Sequence, residues 1–270
     1  MFRKIDHIRT AEAACQQIED LILRGVLCSG DRLPAERELA LEMDVSRPVL
    51  REALKTLEDR GLLSSRQGGG TYIADVIGPV FTDPVLALIE RHSSATSDYL
   101  EFRKDMEAIA AGHAANRASA TDHQTLLEIV ARMDAAHKAD DLQLEAELDV
   151  EFHQAISEAA HNVILLHSLR SCYRLLANGV LFNRQRLFNH PTARSALLDQ
   201  HREIADCIVK GDAAGAREAS WKHIDFVRTT LIETADIQNR NDLAGLRRQQ
   251  RQSSAQAASS KTRPAKSTSS

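Results

Sequence analysis

Apolar positions recur at helical spacing along most of this chain, and they switch to an alternating pattern in one short stretch only. From Thr10 to Arg24, Ala13, Ile18, Leu21 and Ile22 fall on one predicted helical face, and Gly25 ends the run. "CSGDRLP" is a turn, after which Pro34 suits the first position of a helix over "AERELALEM". "DVS" makes a second tight turn, with Ser46 placed to cap "RPVLREALKTLEDR". In that third helix Val49, Leu50, Ala53, Leu54 and Leu57 form the apolar side, and Gly61 closes it. Leu62–Arg66 and Thr71–Ala74 then read as short strands on either side of a glycine run. Residues 75–97 carry Pro79, Pro84 and the cluster SSATS, which predicts a connection. From Ser97 to about Ala235 the pattern is amphipathic helix throughout. Its breaks fall at 117–122, 138–141, 159–162, 188–193 and 210–215. Six helices with short connections predict an antiparallel all-helical bundle. Past Asn239 the sequence is polar and low in complexity, and a disordered tail is expected over 239–270. The fold class is therefore mostly α.

Composition narrows this picture. The chain has 270 residues, 43% hydrophobic and 27% charged, which suits a soluble protein with a sizeable core. No apolar run approaches the ~20 residues of a membrane span. The basic N-terminal residues are not followed by an apolar segment, so no secretory signal is expected. Four scattered cysteines without a CxxC pair fit thiols in a reducing cytoplasm. The net charge of −4 argues against a chain that is basic as a whole. Residues 1–78 carry 11 Lys/Arg against 13 Asp/Glu, residues 79–235 carry 16 against 23, and the last 35 carry 7 against 2. Any contact with nucleic acid must come from a local basic stripe.

The glycines of "SSRQGGGTYI" decide where that stripe is. A phosphate-binding loop needs a following helix, and the P-loop type also needs a Lys-Ser/Thr pair; here a strand follows, so a nucleotide site is excluded. The order helix, helix, tight turn, helix, hairpin is that of a winged helix-turn-helix. Arg47, Arg51 and Lys55 recur every four residues and share one face of the third helix. Such a stripe is often no more than a solvated face. Together with the preceding helix, the cap and a glycine-tipped hairpin, it points to DNA: arginine reads guanine O6 and N7 bidentately in the major groove, and a glycine-rich wing can enter the minor groove. Arg66 and Gln67 at the wing can reach phosphate or base edges. The run "GDRLPAERELALEMDVSRPVLREALKTLEDRGLLSSRQGGGTYI" resembles the N-terminal domain of GntR-family transcription regulators over about Cys15–Ala74. The resemblance implies DNA contacts at Arg37, Ser46, Arg47, Arg51, Gln67 and Gly68. In it Arg37 would anchor phosphate, and Arg47 and Arg51 would carry base recognition.

In the bundle, "ELDVEFHQAI" puts Asp149 and His153 four apart, so both side chains leave one helix face together. His201 in "DQHREIADCI" and His223 in "WKHIDFV" lie amid apolar helical positions. One carboxylate and three imidazoles would suit a divalent ion such as Zn²⁺ with positions open to a ligand. Spacing alone does not bring the four together; separate core histidines are an equal reading of the residues. About Tyr99–Ile232 resembles the effector-binding domain of the FadR-type branch of the same family, and the resemblance implies one metal site built from Asp149, His153, His201 and His223. It also implies that Arg103, in "YLEFRKDMEAIAA", anchors an effector carboxylate and that Asn162 lies near the effector; a helix N-cap is the other reading of Asn162. "SRQGGGTYI", "EAAHNVILLHSLR" and "NRQRLF" are most similar to the regulators of that branch that respond to lactate, glycolate or pyruvate.

These readings give a winged helix-turn-helix at 8–75, a linker at 76–97, a helical effector-binding and dimerisation domain at 98–235 and the tail. The implied protein is a cytoplasmic homodimeric repressor that binds a palindromic operator and responds to a small carboxylate, lactate or a related acid, held beside a divalent metal. The competing reading is a metal-dependent hydrolase using the same Asp/His site. It needs a general base beside the ion, and Glu147 and Glu151 point roughly 160–200° away from the Asp149/His153 face.

Overall fold

The computed structural model describes residues 7–66, 69–75, 93–175, 187 and 193–261. The first helix, α1 (His7–Leu23), buries Ala11, Ala14, Cys15, Ile18 and Ile22. The expected face was close but one step off, because Ala13 is exposed and Leu21 only half-buried. Small residues fill most of the true seam, and they carry little hydrophobic signal. α2 (Glu36–Glu42) has Ala35 at its N-cap, so Pro34 stands just ahead of the helix rather than at its first position. α3 (Arg47–Asp59) begins after Ser46, carries Pro48 in its first turn, and buries Val49, Leu50, Ala53 and Leu57. Leu54 is half-buried against the same core. Gly61, at φ +75°, ends this helix in the left-handed conformation that glycine adopts without strain.

Two strands complete the N-terminal unit. β1 (Leu63–Arg66) pairs antiparallel with β2 (Gly70–Ile73), in a register that sets Leu63 opposite Ile73 and Arg66 opposite Gly70. Leu63 and Ile73 close the core under α1 and α3 with Leu33, Leu39 and Leu50.

The second unit is built from α4 (Ser93–Arg117), α5 (Ala120–Ala139), α6 (Leu142–Ala159), α7 (Val163–Leu175), α8 (Ala193–Val209) and α9 (Ala213–Lys261). The connections from α4 through α7 are short, and side chains of their own cap the helices that follow them. Ser119 and Asp122 form a reciprocal capping box at the start of α5, and Asp141 accepts from the Leu144 N–H to start α6. α9 lies along α4, and α6 packs between α4 and α5. Gly112 permits the close approach at one end: a Cβ there would stand 3.3 Å from the carbonyl oxygen of Ala213. Leu126, Ile129, Leu148, Phe152, Ile156 and Leu169 fill one continuous core.

Two expectations are corrected. Helix α4 starts at Ser93, inside the span expected to be connection. Helix α9 continues to Lys261, through most of the expected disordered tail. Beyond Asn239 the segment is low in apolar content but rich in Ala, Gln and Arg, all good helix formers, so low complexity there does not mean absence of helix. The connection at 76–92, the break at 188–192 and the last residues, 262–270, lie outside the described residues. Among the described residues no helix is long and apolar enough to cross a membrane.

Candidate functional site

The N-terminal unit exposes one cationic face. Arg47, Arg51 and Lys55 are all exposed on α3, opposite the side that packs on α1. Arg51 Nε donates to Glu36 Oε2 at 2.7 Å, and Arg47 Nη2 stands 3.9 Å from the same oxygen. Glu36 on α2 therefore orients Arg51 and places a negative charge near Arg47, a role that the sequence reading missed. Arg37 is exposed in the first turn of α2. Ser46 occupies the N-cap position, but its side chain makes no capping hydrogen bond to α3.

Gln67 and Gly68 lie outside the described residues. The rest of the hairpin shows what the glycines are for. Gly70 sits at φ +98°, and a Cβ there would come within 2.9 Å of Arg32 Nε. Arg32 itself bridges to Tyr72 in the antiparallel sense, bracing the wing from behind. The Tyr72 hydroxyl donates to the carbonyl of Gly69 at 2.9 Å.

In the bundle, three helices bring four donors to one place. Asp149 and His153 project from α6, His201 from α8 and His223 from α9. Each offers one ligand atom, and these atoms lie within 4.8 Å of one another. His201 Nε2 is 3.3 Å from Asp149 Oδ1, and His153 Nε2 is 3.8 Å from Asp149 Oδ2. All three imidazoles are buried. His153 turns Nδ1 to Glu107 Oε2 at 2.7 Å, and His223 turns Nδ1 to Gln200 Oε1 at 2.9 Å. In His153 this turns Nε2 towards Asp149. His153 Nε2 is buried and has no hydrogen-bond partner among the described residues, which is how a ligand nitrogen looks when it is aimed at an ion. The donor set fits Zn²⁺ or a similar divalent ion.

Arg103 on α4 is 3% exposed and is ion-paired through Nε to Glu107 Oε1. Its guanidinium lies 5.7 Å from the Tyr173 ring centroid. The Tyr173 hydroxyl donates to the carbonyl of His153 at 3.2 Å. Burial alone would push the Glu107 carboxyl up; the adjacent Arg103 guanidinium, helped by His153, outweighs it and holds the group down at about 2. Burial raises the Tyr173 phenol well above its ordinary range. The expected carboxylate anchor is thus two links from the cluster, along the chain Arg103–Glu107–His153. A small cleft with room of about 30 Å³ reaches the same cluster and is lined by His137, Glu145, Asp149, Arg194 and His201 among others. Arg194 in that wall bonds Glu145, Asp140 and the carbonyl of His137.

Asn162 takes the helix-end role: its side-chain oxygen accepts from the Leu165 N–H at 3.2 Å, capping α7. Glu147 and Glu151 point outward, to Gln143 and Arg132 respectively, so neither is a base beside the cluster. The two units also touch. Arg170 Nη2 on α7 donates to the Gly25 carbonyl at 3.0 Å, and His167 Nε2 lies 2.8 Å from the Leu23 carbonyl oxygen.

Comparison with known proteins agrees with both units. Residues 10–73 match the bacterial regulatory proteins of the gntR family, and residues 98–226 match the FCD domain. The chain belongs to the GntR family. A protein of Escherichia coli (strain K12) named for regulation of the L-lactate dehydrogenase operon is 37% identical over 237 residues, which is 86% of this chain and 90% of that protein. The Glc operon transcriptional activator of the same organism is 30% identical over 82% of this chain and 88% of its own length. Among solved structures, a GntR protein of Streptococcus agalactiae is 30% identical with a TM-score of 0.53, over 81% of this chain and 99% of that one. The chain is accordingly a DNA-binding transcription regulator of the GntR family with an FCD domain, in a family of regulators and not of enzymes.

Proposed function

We propose that this regulator is a cytoplasmic homodimeric repressor whose grip on a palindromic operator is released by a small hydroxy- or keto-acid, L-lactate first among them, bound beside a Zn²⁺ ion. The observation that carries the reading is the buried Asp149/His153/His201/His223 cluster, tied by Glu107 to the buried guanidinium of Arg103. An acid of this kind can chelate the ion through its carboxylate and neighbouring oxygen, and Arg103 adds a planar cationic partner. The choice of lactate rests on sequence likeness to the regulator named for a lactate dehydrogenase operon. Arg47 and Arg51 would read bases, with Arg37, Ser46, Gln67 and Gly68 at the backbone and the wing. Two heads would engage half-sites about one helical turn apart.

The route from acid to DNA runs along α7. Tyr173 lies against Arg103, and Arg170, less than one turn earlier on the same helix, hooks the carbonyl of Gly25 in the head. An acid that favours one setting of α7 over another thereby favours one placement of the head.

The test is a thermal-shift series on zinc-loaded protein with L-lactate, glycolate and pyruvate, repeated after chelation, alongside operator gel shifts. One acid should raise the melting temperature only when zinc is present and should weaken operator binding at the same concentrations. Absence of any shift would remove the carboxylate reading. Tighter operator binding with the acid present would overturn release as the mechanism.

A further inference from the structure

Glu107 belongs to neither the DNA-binding motif nor the Asp/His cluster, yet it touches both halves of the proposed effector site. It is 2% exposed, with Oε1 on Arg103 Nε and Oε2 2.7 Å from His153 Nδ1. An imidazole that donates Nδ1–H to a carboxylate presents the lone pair of Nε2 on the other side of the ring. Here that side faces Asp149. Histidines that hold metals nearly always hand their second N–H to such a partner, which fixes the tautomer and the ring direction.

The same carboxylate also sets the charge of the site. Arg103 and Glu107 cancel, while the half-buried Asp225 on α9 is shared by Lys104 and Arg228, where water screens the charges and leaves them outside the enclosed group. With the three imidazoles neutral, Asp149 leaves the buried group at −1. A divalent ion brings it to +1, and a single carboxylate then brings it to zero. A dicarboxylate would leave a net negative charge in a buried site, which is costly. We propose that Glu107 is a positioning residue for His153 and, through its charge, the residue that restricts this site to monocarboxylates. This rests on the metal-and-carboxylate reading above.

The experiment compares the full-length wild type with Glu107→Gln and Glu107→Asp. Zinc affinity is measured by competition with a chromophoric chelator. Thermal shifts at saturating zinc are measured with sodium L-lactate and with malonate, a three-carbon dianion. Glu107→Gln should lower zinc affinity by about 10–100-fold. At saturating zinc it should also lose preference for lactate and gain a malonate shift that the wild type lacks. Glu107→Asp keeps the charge beside Arg103 but reaches less far, so it should lose zinc affinity while still preferring lactate. Wild-type zinc affinity in Glu107→Gln, or an unchanged preference between the acids, would overturn the proposal. Should Glu107→Gln fail to fold, a folded Glu107→Asp with wild-type zinc affinity overturns it equally. Failure of the wild type itself to take up zinc, or to respond to any acid, would instead sink the reading beneath it, and this inference too.

Discussion

Arg51 and Arg103 are both ion-paired to a glutamate, and the two pairs do opposite work. Arg51 stands exposed on α3 with its carboxylate partner on the neighbouring helix α2, where water competes for every hydrogen bond. Such a pair is worth about 0–1 kcal/mol and weakens with salt, so phosphate can replace the glutamate at little cost. Arg103 and its partner are almost wholly enclosed, and no solvent can stand in for either. The head therefore keeps its charge exchangeable, as reading DNA requires. The bundle keeps its charge fixed, as the proposed ligand site requires.

The largest expected effect breaks the fixed pair. Arg103→Ala leaves Glu107 buried without its cation, and the stability of the bundle should fall by about 3–5 kcal/mol, read as a lowered denaturation midpoint. Arg103→Lys keeps the charge and should retain the fold while weakening the acid response, since an ammonium cannot match a carboxylate in two places. Were Arg103→Ala as stable as the wild type in urea, the two arginines would not differ as described. In the head the matching change is milder. Arg51→Ala should cost about 1–3 kcal/mol of operator affinity while moving stability by no more than about 0.5 kcal/mol. Equal losses on operator and on random DNA would make Arg51 a phosphate contact instead of a base reader.

How legible each region was in the sequence follows from the same contrast. The head is a local design: its turns, its cap position and the Arg47/Arg51/Lys55 stripe all lie within one contiguous run, and the structure places them so. Its misplaced details, Ala13 and Pro34, come from small or turn residues with weak periodic signal. The bundle is a design across long separations. Asp149 and His153 share a helix and were visible as a pair, but nothing in spacing brings α8 and α9 to them. Glu107 carried one faint signal, its i,i+4 relation to Arg103. Gln200, which fixes the His223 ring, carried none beyond standing next to His201.

Coupling between the regions should break without harm to either. Arg170→Ala removes the hydrogen bond to Gly25 and the ion pair with Glu158. Glu158 is exposed, so stability should change little. Acid binding by the bundle and operator binding by the head should both persist, while the weakening of operator binding by acid shrinks by about 1–3 kcal/mol of coupling. A variant that responds to acid as the wild type does would take α7 out of the route.

The smallest expected effect sharpens the account of the exposed pair. Glu36 does two things at once: it orients Arg51, and it places a negative charge where the DNA backbone must come. Glu36→Ala should therefore act unequally on the two kinds of binding. Random DNA should bind a few-fold more tightly, with a salt slope steeper by about one counterion, because Arg51 and Arg47 are no longer partly neutralised. The operator should gain less, because an arginine that must be ordered on binding gives back part of that gain as lost side-chain freedom. The ratio of operator to random affinity should fall. A uniform gain on both DNAs would mean that Glu36 only repels phosphate, and that the guanidinium of Arg51 reaches its base without being held in place.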